Sequence, residues 1–163
     1  MKACVLYGPG DLRIEDFPVL DPPPGFVRLR MGGVGICGSD LHYYHIGRVG
    51  NAVIREPMIL GHELSGVVDA VGPGASGLEP GQKVIINPTD ECGTCGYCRS
   101  GRQNLCPDLR YCGSAARIPH VQGVMVEYPL VQARQCVTVN DAMALDQAAC
   151  VEPLAIALHA VSR

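Results

Sequence analysis

Three separated pieces of this chain carry side chains that bind a divalent metal. His62 and Glu63, in Leu60-Gly61-His62-Glu63, set a neutral nitrogen donor beside a carboxylate. Cys37, in Gly35-Ile36-Cys37-Gly38-Ser39-Asp40, adds a thiol, and Glu152, in Val151-Glu152-Pro153, adds a second carboxylate. Zinc accepts all of these donor types, and a site with three protein ligands keeps a position open for water or substrate. We therefore expect an open, catalytic zinc site from Cys37, His62 and a carboxylate. Either Glu63 or Glu152 bonds the metal directly or holds its water. An adjacent His and Glu arise often by chance, so the pair gains weight only from the rest of the chain.

Cys92, Cys95, Cys98 and Cys106 give C-x2-C-x2-C-x7-C. Four thiolates in so short a run can close a tetrahedron around a second, structural zinc with no open position. Gly93, Gly96 and Gly101 let the backbone fold tightly there. Disulfides or an iron–sulfur cluster are the alternatives. Ferredoxin-type runs end C-x3-C-P, whereas here the fourth cysteine is seven residues on, although Pro107 follows it. Binding energy at such a site is folding energy, so its role would be to hold the lobe together.

Other features carry less. Gly33–Gly38 and Gly72–Gly77 both fit G-x-G-x-x-G. A dinucleotide loop must lead from a strand into a helix that offers its N-terminus to pyrophosphate. The first run spans the candidate ligand Cys37, and the second contains Pro73 and leads to Pro80, so neither is read as a nucleotide loop. No second His follows His62-Glu63 at zincin spacing, because position 66 is Gly66. Cys4 and Cys136 fall in expected strands as small core residues. Cys150, two residues before Glu152, is a competing ligand. His45 and His120 are expected in solvent near loops, and His159 is expected to be structural.

The elements that must position these groups follow from pattern. The 163 residues are 47% apolar and 18% charged, with a net charge of −3, a balance that suits one globular domain. No basic run suggests nucleic acid, no apolar run reaches a membrane span, and we expect no secretory signal, hence a cytoplasmic protein. Nine cysteines, an odd number with four of them clustered at 92–106, favour metal over a disulfide framework. Strands are expected at Lys2–Tyr7, Leu12–Asp16, Phe26–Gly32, Leu64–Val71, Lys83–Ile86, Val124–Val131 and Cys136–Val139. Gly47–Met58 reads as a loop. Ser39 caps a short helix through Leu41 and Tyr44, and a last helix from Glu152 sets Leu154, Leu158 and Val161 on one face. The fold class is mostly β and barrel-like.

With both metal sets in view, the chain resembles the zinc-containing medium-chain dehydrogenase/reductase family. The matching pieces are Gly35-Ile36-Cys37-Gly38-Ser39-Asp40-Leu41-His42, then Gly61-His62-Glu63, the four-cysteine lobe, and Glu152-Pro153-Leu154, in the family's order. Glu152-Pro153-Leu154 with His159-Ala160 is similar to the sorbitol (polyol) dehydrogenase branch. Gly113-Ser114-Ala115-Ala116-Arg117 and Pro119-His120-Val121-Gln122-Gly123 are most similar to its L-idonate 5-dehydrogenases.

The resemblance implies a GroES-like β-barrel catalytic domain over 1–163. Within it, 87–107 would be a structural zinc lobe and 152–163 the start of a connection to a cofactor domain. That Rossmann domain, which would bind NAD or NADP, is expected to be missing from this chain, so no cofactor-binding residue is assigned. The implied reaction is hydride transfer from a polyol or sugar acid to nicotinamide. Zinc would lower the pKa of the substrate hydroxyl, as it lowers that of water from about 16 towards about 7. Ser39 would relay the proton, act as a plain helix cap, or do both. Tyr43 would line the polyol cleft or pack as a core aromatic, and Glu152 would ligate zinc or hold its water. The expected partner is a small-molecule substrate, with no nucleic acid or membrane and a homo-oligomeric full-length parent. The stretch alone is expected to fold and bind zinc without turning over substrate. Sorbitol, threonine or alcohol dehydrogenase, or a non-enzymatic zinc-stabilised module, are the rival readings.

Overall fold

The computed structural model describes residues 1–162. The chain opens with a hairpin, β1 (Lys2–Gly8) and β2 (Asp11–Asp16), turned at Pro9-Gly10. After the proline-rich loop come β3 (Phe26–Val34), helix α1 (Gly38–Ile46), a small hairpin of β4 (Arg48–Val49) and β5 (Ala52–Val53), then β6 (Met58–Ile59). β7 (Leu64–Val71), β8 (Lys83–Ile86) and β9 (Thr89–Asp90) lead into the cysteine lobe, which holds the single turn α2 (Gly96–Arg99) and closes at β10 (Arg110–Tyr111). β11 (Leu130–Gln132), β12 (Cys136–Thr138), α3 (Leu145–Ala149) and α4 (Val151–Val161) complete it. Arg163, the end of the expected 152–163 connection, lies outside the described residues.

Five antiparallel strands form the main sheet in the order β11-β3-β7-β8-β12, and β2-β1-β6 form a second. Alternation drives the pairing. In β3, Val27 and Leu29 are wholly buried between Arg28 and Arg30; β7 buries Val68 opposite Leu29 and Leu64 opposite Val34. With Val84 and Ile86 from β8 these residues form the principal core. Each such side chain contributes about 1.5–3 kcal/mol by leaving water.

The stretch expected as a strand over Val124–Val131 is ladder-paired only at Leu130–Gln132. Its earlier part joins the two sheets instead. Cys4 and Met31 donate to the carbonyls of Met125 and Glu127 (2.9 Å each), while Glu127 donates to the Lys2 carbonyl (3.0 Å). A segment shared by two sheets satisfies its backbone on both sides and curls them into a half-barrel. The expected loop Gly47–Met58 holds the β4–β5 hairpin.

α3, not foreseen from pattern, packs across the main sheet where Ser65 Oγ donates to the Leu145 carbonyl (2.5 Å). α4 accepts Pro153 because it sits in the first turn, where its missing N–H would have no helical partner. The shared apolar face of α4 lies on the surface: Leu154, Leu158 and Val161 are 55%, 57% and 83% exposed. Among the described residues no helix is long and apolar enough to cross a membrane.

Candidate metal centres

The end of β3 and the start of β7 are neighbours across the main sheet, and this adjacency assembles the first centre. Val34 pairs with Leu64, and Gly35 N–H donates to the Glu63 carbonyl (2.8 Å). The chain before β7 therefore delivers His62 and Glu63 beside the residues that follow β3. Ligand atoms of Cys37, His62 and Glu63 all lie within 4.8 Å of one another. His62 and Glu63 are buried and Cys37 half-buried. Sulfur, imidazole nitrogen and carboxylate oxygen at this spacing fit zinc, and the three leave one position of a tetrahedron free.

Asp40 holds this centre together and was not among the expected site residues. It is 2% exposed. Its Oδ2 accepts from Cys37 N (2.9 Å) and its Oδ1 from Gly61 N (3.2 Å). One carboxylate thus ties the start of α1 to the turn carrying His62. The cap of α1 is Cys37, in a reciprocal pair with Asp40, and not Ser39, which sits inside the first turn. Gly61 takes a left-handed φ of 93°, and a Cβ there would meet Met125 Cγ at 2.6 Å, so only glycine makes this turn. The Gly33–Gly38 run does pass from strand to helix. That helix N-terminus, however, carries the candidate ligand Cys37, and the Cys37 N–H is already taken by the Asp40 carboxylate.

Glu152 lies outside the ligand cluster. Its Oε1 accepts from the Tyr111 hydroxyl (2.8 Å), which holds the carboxylate at one remove. Tyr111 also meets His62 edge to face, with ring centroids 5.2 Å apart at 62°. Burial, and then the bond to Glu152, push the Tyr111 phenol above its ordinary range, so it remains a donor. A cleft of about 320 Å³ opens here, lined by Ile86, Pro88, Tyr111, Val151, Glu152 and Ile156 among others. Sequence pattern had no signal for Tyr111, because a lone tyrosine announces neither of its two long-range partners.

Tyr43 lines no cleft. It is 3% exposed in a core cluster with Leu6, Met58, Leu60 and Ala115, and its hydroxyl accepts from Ala115 N (3.1 Å). Ser39 is half-buried in the first turn of α1, two residues from Cys37. Cys150 is exposed and directs its thiol to the Asp146 carbonyl (3.8 Å), away from the ligand set. His120, expected in solvent, is 4% exposed. Its Nε2 accepts from Arg55 N (2.9 Å), its Nδ1 faces the Arg117 carbonyl (2.7 Å), and its own N–H donates to Glu56. Loop position suggested solvent, but these three partners bury the ring. His45 is exposed at the end of α1, and His159 lies exposed in α4.

The second cluster gathers Cys92, Cys95, Cys98 and Cys106, again within 4.8 Å. The Cys95–Cys98 and Cys92–Cys98 sulfurs are 3.5 and 4.0 Å apart. Thiolates about 2.3 Å from a tetrahedral zinc stand about 3.8 Å from one another. A disulfide requires about 2.05 Å, and all nine cysteines are free. The spacing suits one ion at the centre, since a multi-iron core would hold the sulfurs farther apart. Backbone hydrogen bonds at Thr94 and Cys95 lower the Cys92 thiol, whereas burial raises that of Cys98 beside it. β9 and β10 pair across the neck of the lobe, Thr89 opposite Tyr111 and Asp90 opposite Arg110.

Comparison with known proteins points one way. Residues 23–141 match the family model described as alcohol dehydrogenase GroES-like domain. Human sorbitol dehydrogenase is 40% identical over 161 residues, spanning 99% of this chain and 44% of that protein. The crystal structure of Escherichia coli L-idonate 5-dehydrogenase superposes with a TM-score of 0.88 at 41% identity, covering 98% of this chain and 45% of the other. A short chain alcohol dehydrogenase of Escherichia coli, solved with NADH, gives 0.84 at 34% identity, covering 97% and 44%. The chain thus spans less than half the length of the relatives it matches.

Proposed function

The chain belongs to the alcohol dehydrogenase GroES-like domain family, and from that membership we propose that it is the catalytic, zinc-holding domain of an NAD(P)-dependent dehydrogenase acting on a polyol or sugar acid. The observation that carries this reading is the convergence of Cys37, His62 and Glu63 within 4.8 Å, with their backbone held by Asp40. L-Idonate or a related substrate is the favoured choice, on the likeness to the Escherichia coli enzyme.

The division of labour follows from the donor set. Thiolate, imidazole and carboxylate supply two negative charges and one neutral ligand, which balances a divalent cation. Zinc bound there would act as a Lewis acid on the substrate hydroxyl and stabilise the charge that develops as it is oxidised. Asp40 keeps the Cys37 and His62 pieces in register. Ser39, on the first turn of α1, is assigned the relay of the substrate proton. Glu152, held by Tyr111, stands at one remove from the ligand set and is assigned the holding of the zinc-bound water or substrate hydroxyl. The four-cysteine lobe over 87–107 is assigned a second, structural zinc, and 152–163 the start of the connection to a domain that carries NAD or NADP. Hydride transfer needs that domain, because positioning the two reactants can be worth roughly 7–11 kcal/mol of the barrier.

Metal analysis tests the reading. Two zinc ions per chain are expected, falling to one in Cys37→Ser. A single zinc per chain, unaffected by that change, would leave only a zinc-stabilised module. Assay of the full-length protein with L-idonate and sorbitol, with NAD and NADP in turn, then tests the substrate.

A further inference from the structure

Two carboxylates stand near the first centre, and the structure treats them differently. Glu63 is a member of the cluster with Cys37 and His62, whereas Glu152 is not. The Tyr111 side chain lies between the two arrangements. Its ring rests on the His62 imidazole, and its hydroxyl donates to Glu152 Oε1 at 2.8 Å. Glu152 projects from the first turn of α4 on a flexible side chain, and it is half-buried at the edge of the cleft.

We propose that Tyr111 is a positioning residue that keeps Glu152 out of the Cys37–His62–Glu63 cluster and so keeps the site three-liganded and open. The inference rests on the reading of that cluster as a metal site. Its physical basis is competition for one carboxylate. Anchored by the phenol, Glu152 has a partner that satisfies it without moving. Without the hydroxyl it becomes a half-buried anion beside a divalent cation, and swinging onto that cation is the strongest pairing open to it. Four protein ligands would then close the tetrahedron, which is the arrangement of structural sites. The substitution that exposes this is Tyr111→Phe, since it removes the hydroxyl and keeps the ring on His62.

The test replaces zinc by cobalt(II) in the full chain and reads its visible absorption, with Cys37→Ser subtracted to remove the lobe's contribution. Tyr111→Phe is expected to shift the cobalt bands of the first site. It should also slow removal of cobalt by a chelator on the order of tenfold, the scale on which groups around a metal tune its affinity. Tyr111→Phe combined with Glu152→Gln should return both to wild-type values. Glu152→Gln alone should leave the spectrum as in wild type, because Glu152 is not a ligand while Tyr111 holds it. That arm can still overturn the proposal even if Tyr111→Phe does not fold. An unshifted Tyr111→Phe spectrum, or a shifted Glu152→Gln spectrum, overturns the proposal and leaves the metal site standing. Failure of the wild type to take up cobalt in a Cys37-dependent manner overturns the metal site itself, and this proposal with it.

Discussion

Gly35 leaves open the space that the Glu63 carboxylate fills: a Cβ at residue 35 would stand 1.9 Å from Glu63 Oε2. No side chain can share that space, so Gly35→Ala must push Glu63 out of the cluster with Cys37 and His62. We expect metal at the first site to bind on the order of 10–100-fold more weakly, with the lobe's zinc unaffected. Competition against a graded series of chelators measures this, and unchanged affinity would show that Glu63 is not a ligand.

Asp40 is the buried brace between Cys37 and Gly61. Asp40→Ala leaves two backbone N–H groups without their charged acceptor. The expected cost is about 3 kcal/mol or more in denaturant unfolding, with loss of metal from the first site. A loss below about 0.5 kcal/mol, within the range of an ordinary surface substitution, would mean the brace is redundant.

Cys95→Ser should remove one zinc per chain, melt the lobe and leave the His62 site able to bind metal. A closed four-thiolate site loses its tetrahedron with one ligand gone. Two tightly held zinc ions and an unchanged Tm in the variant would exclude this role for Cys95.

His62→Ala should remove the other zinc with much less harm to folding, since an open site contributes less to the fold than a closed one. Zinc content and thermal melting, measured together, check both halves. Unchanged zinc content would sink the assignment of His62.

Cys136 is one buried thiol that should contribute to alkaline stability, beside Cys112, which burial raises to about 11. Burial pushes the Cys136 thiol from 9.0 up to about 12 in the folded chain. The unfolded state therefore releases this proton first. The contribution is whole below about pH 9, and it is lost as pH rises from there through 12. Thermal melts between pH 8 and 11 should show Tm falling above pH 9, with a shallower fall in Cys136→Ala. Parallel curves for the two proteins would assign the alkaline loss to other groups.

The residues of the two candidate metal clusters were legible because their chemistry is their identity: four cysteines at short spacing, and His62 with Glu63, need no neighbours to be singled out. β3 was legible too, since Val27 and Leu29 alternate with Arg28 and Arg30 and only one of its faces is buried. What escaped depends on partners far along the chain. Asp40 reads as an ordinary acidic residue in a helix, and only Gly61, 21 residues on, makes it a brace. Tyr111 takes its meaning from His62 and from Glu152, 41 residues away. His120 sits in a loop by composition but is buried by Arg55 and Glu56, 65 and 64 residues before it. Val124–Val131 carried strand composition, yet bridging two sheets at once is a property of the assembled half-barrel that no single segment encodes.

The two-strand neck of β9 and β10 sets what the cysteine lobe can transmit. Residues 91–109 leave and re-enter the body through two opposed pairs, and among the described residues only their ends are tied to it elsewhere, by Arg117 to the Leu109 and Pro107 carbonyls and to Asp108 and by Arg134 to Glu91. A shorter, longer or metal-free loop closed on the same two pairs would deliver Tyr111 to the same place beside His62. The lobe is in that sense an interchangeable appendage, and the residues that fix its junction, Thr89 and Asp90 with Arg110 and Tyr111, are where its fortunes and those of the reaction meet.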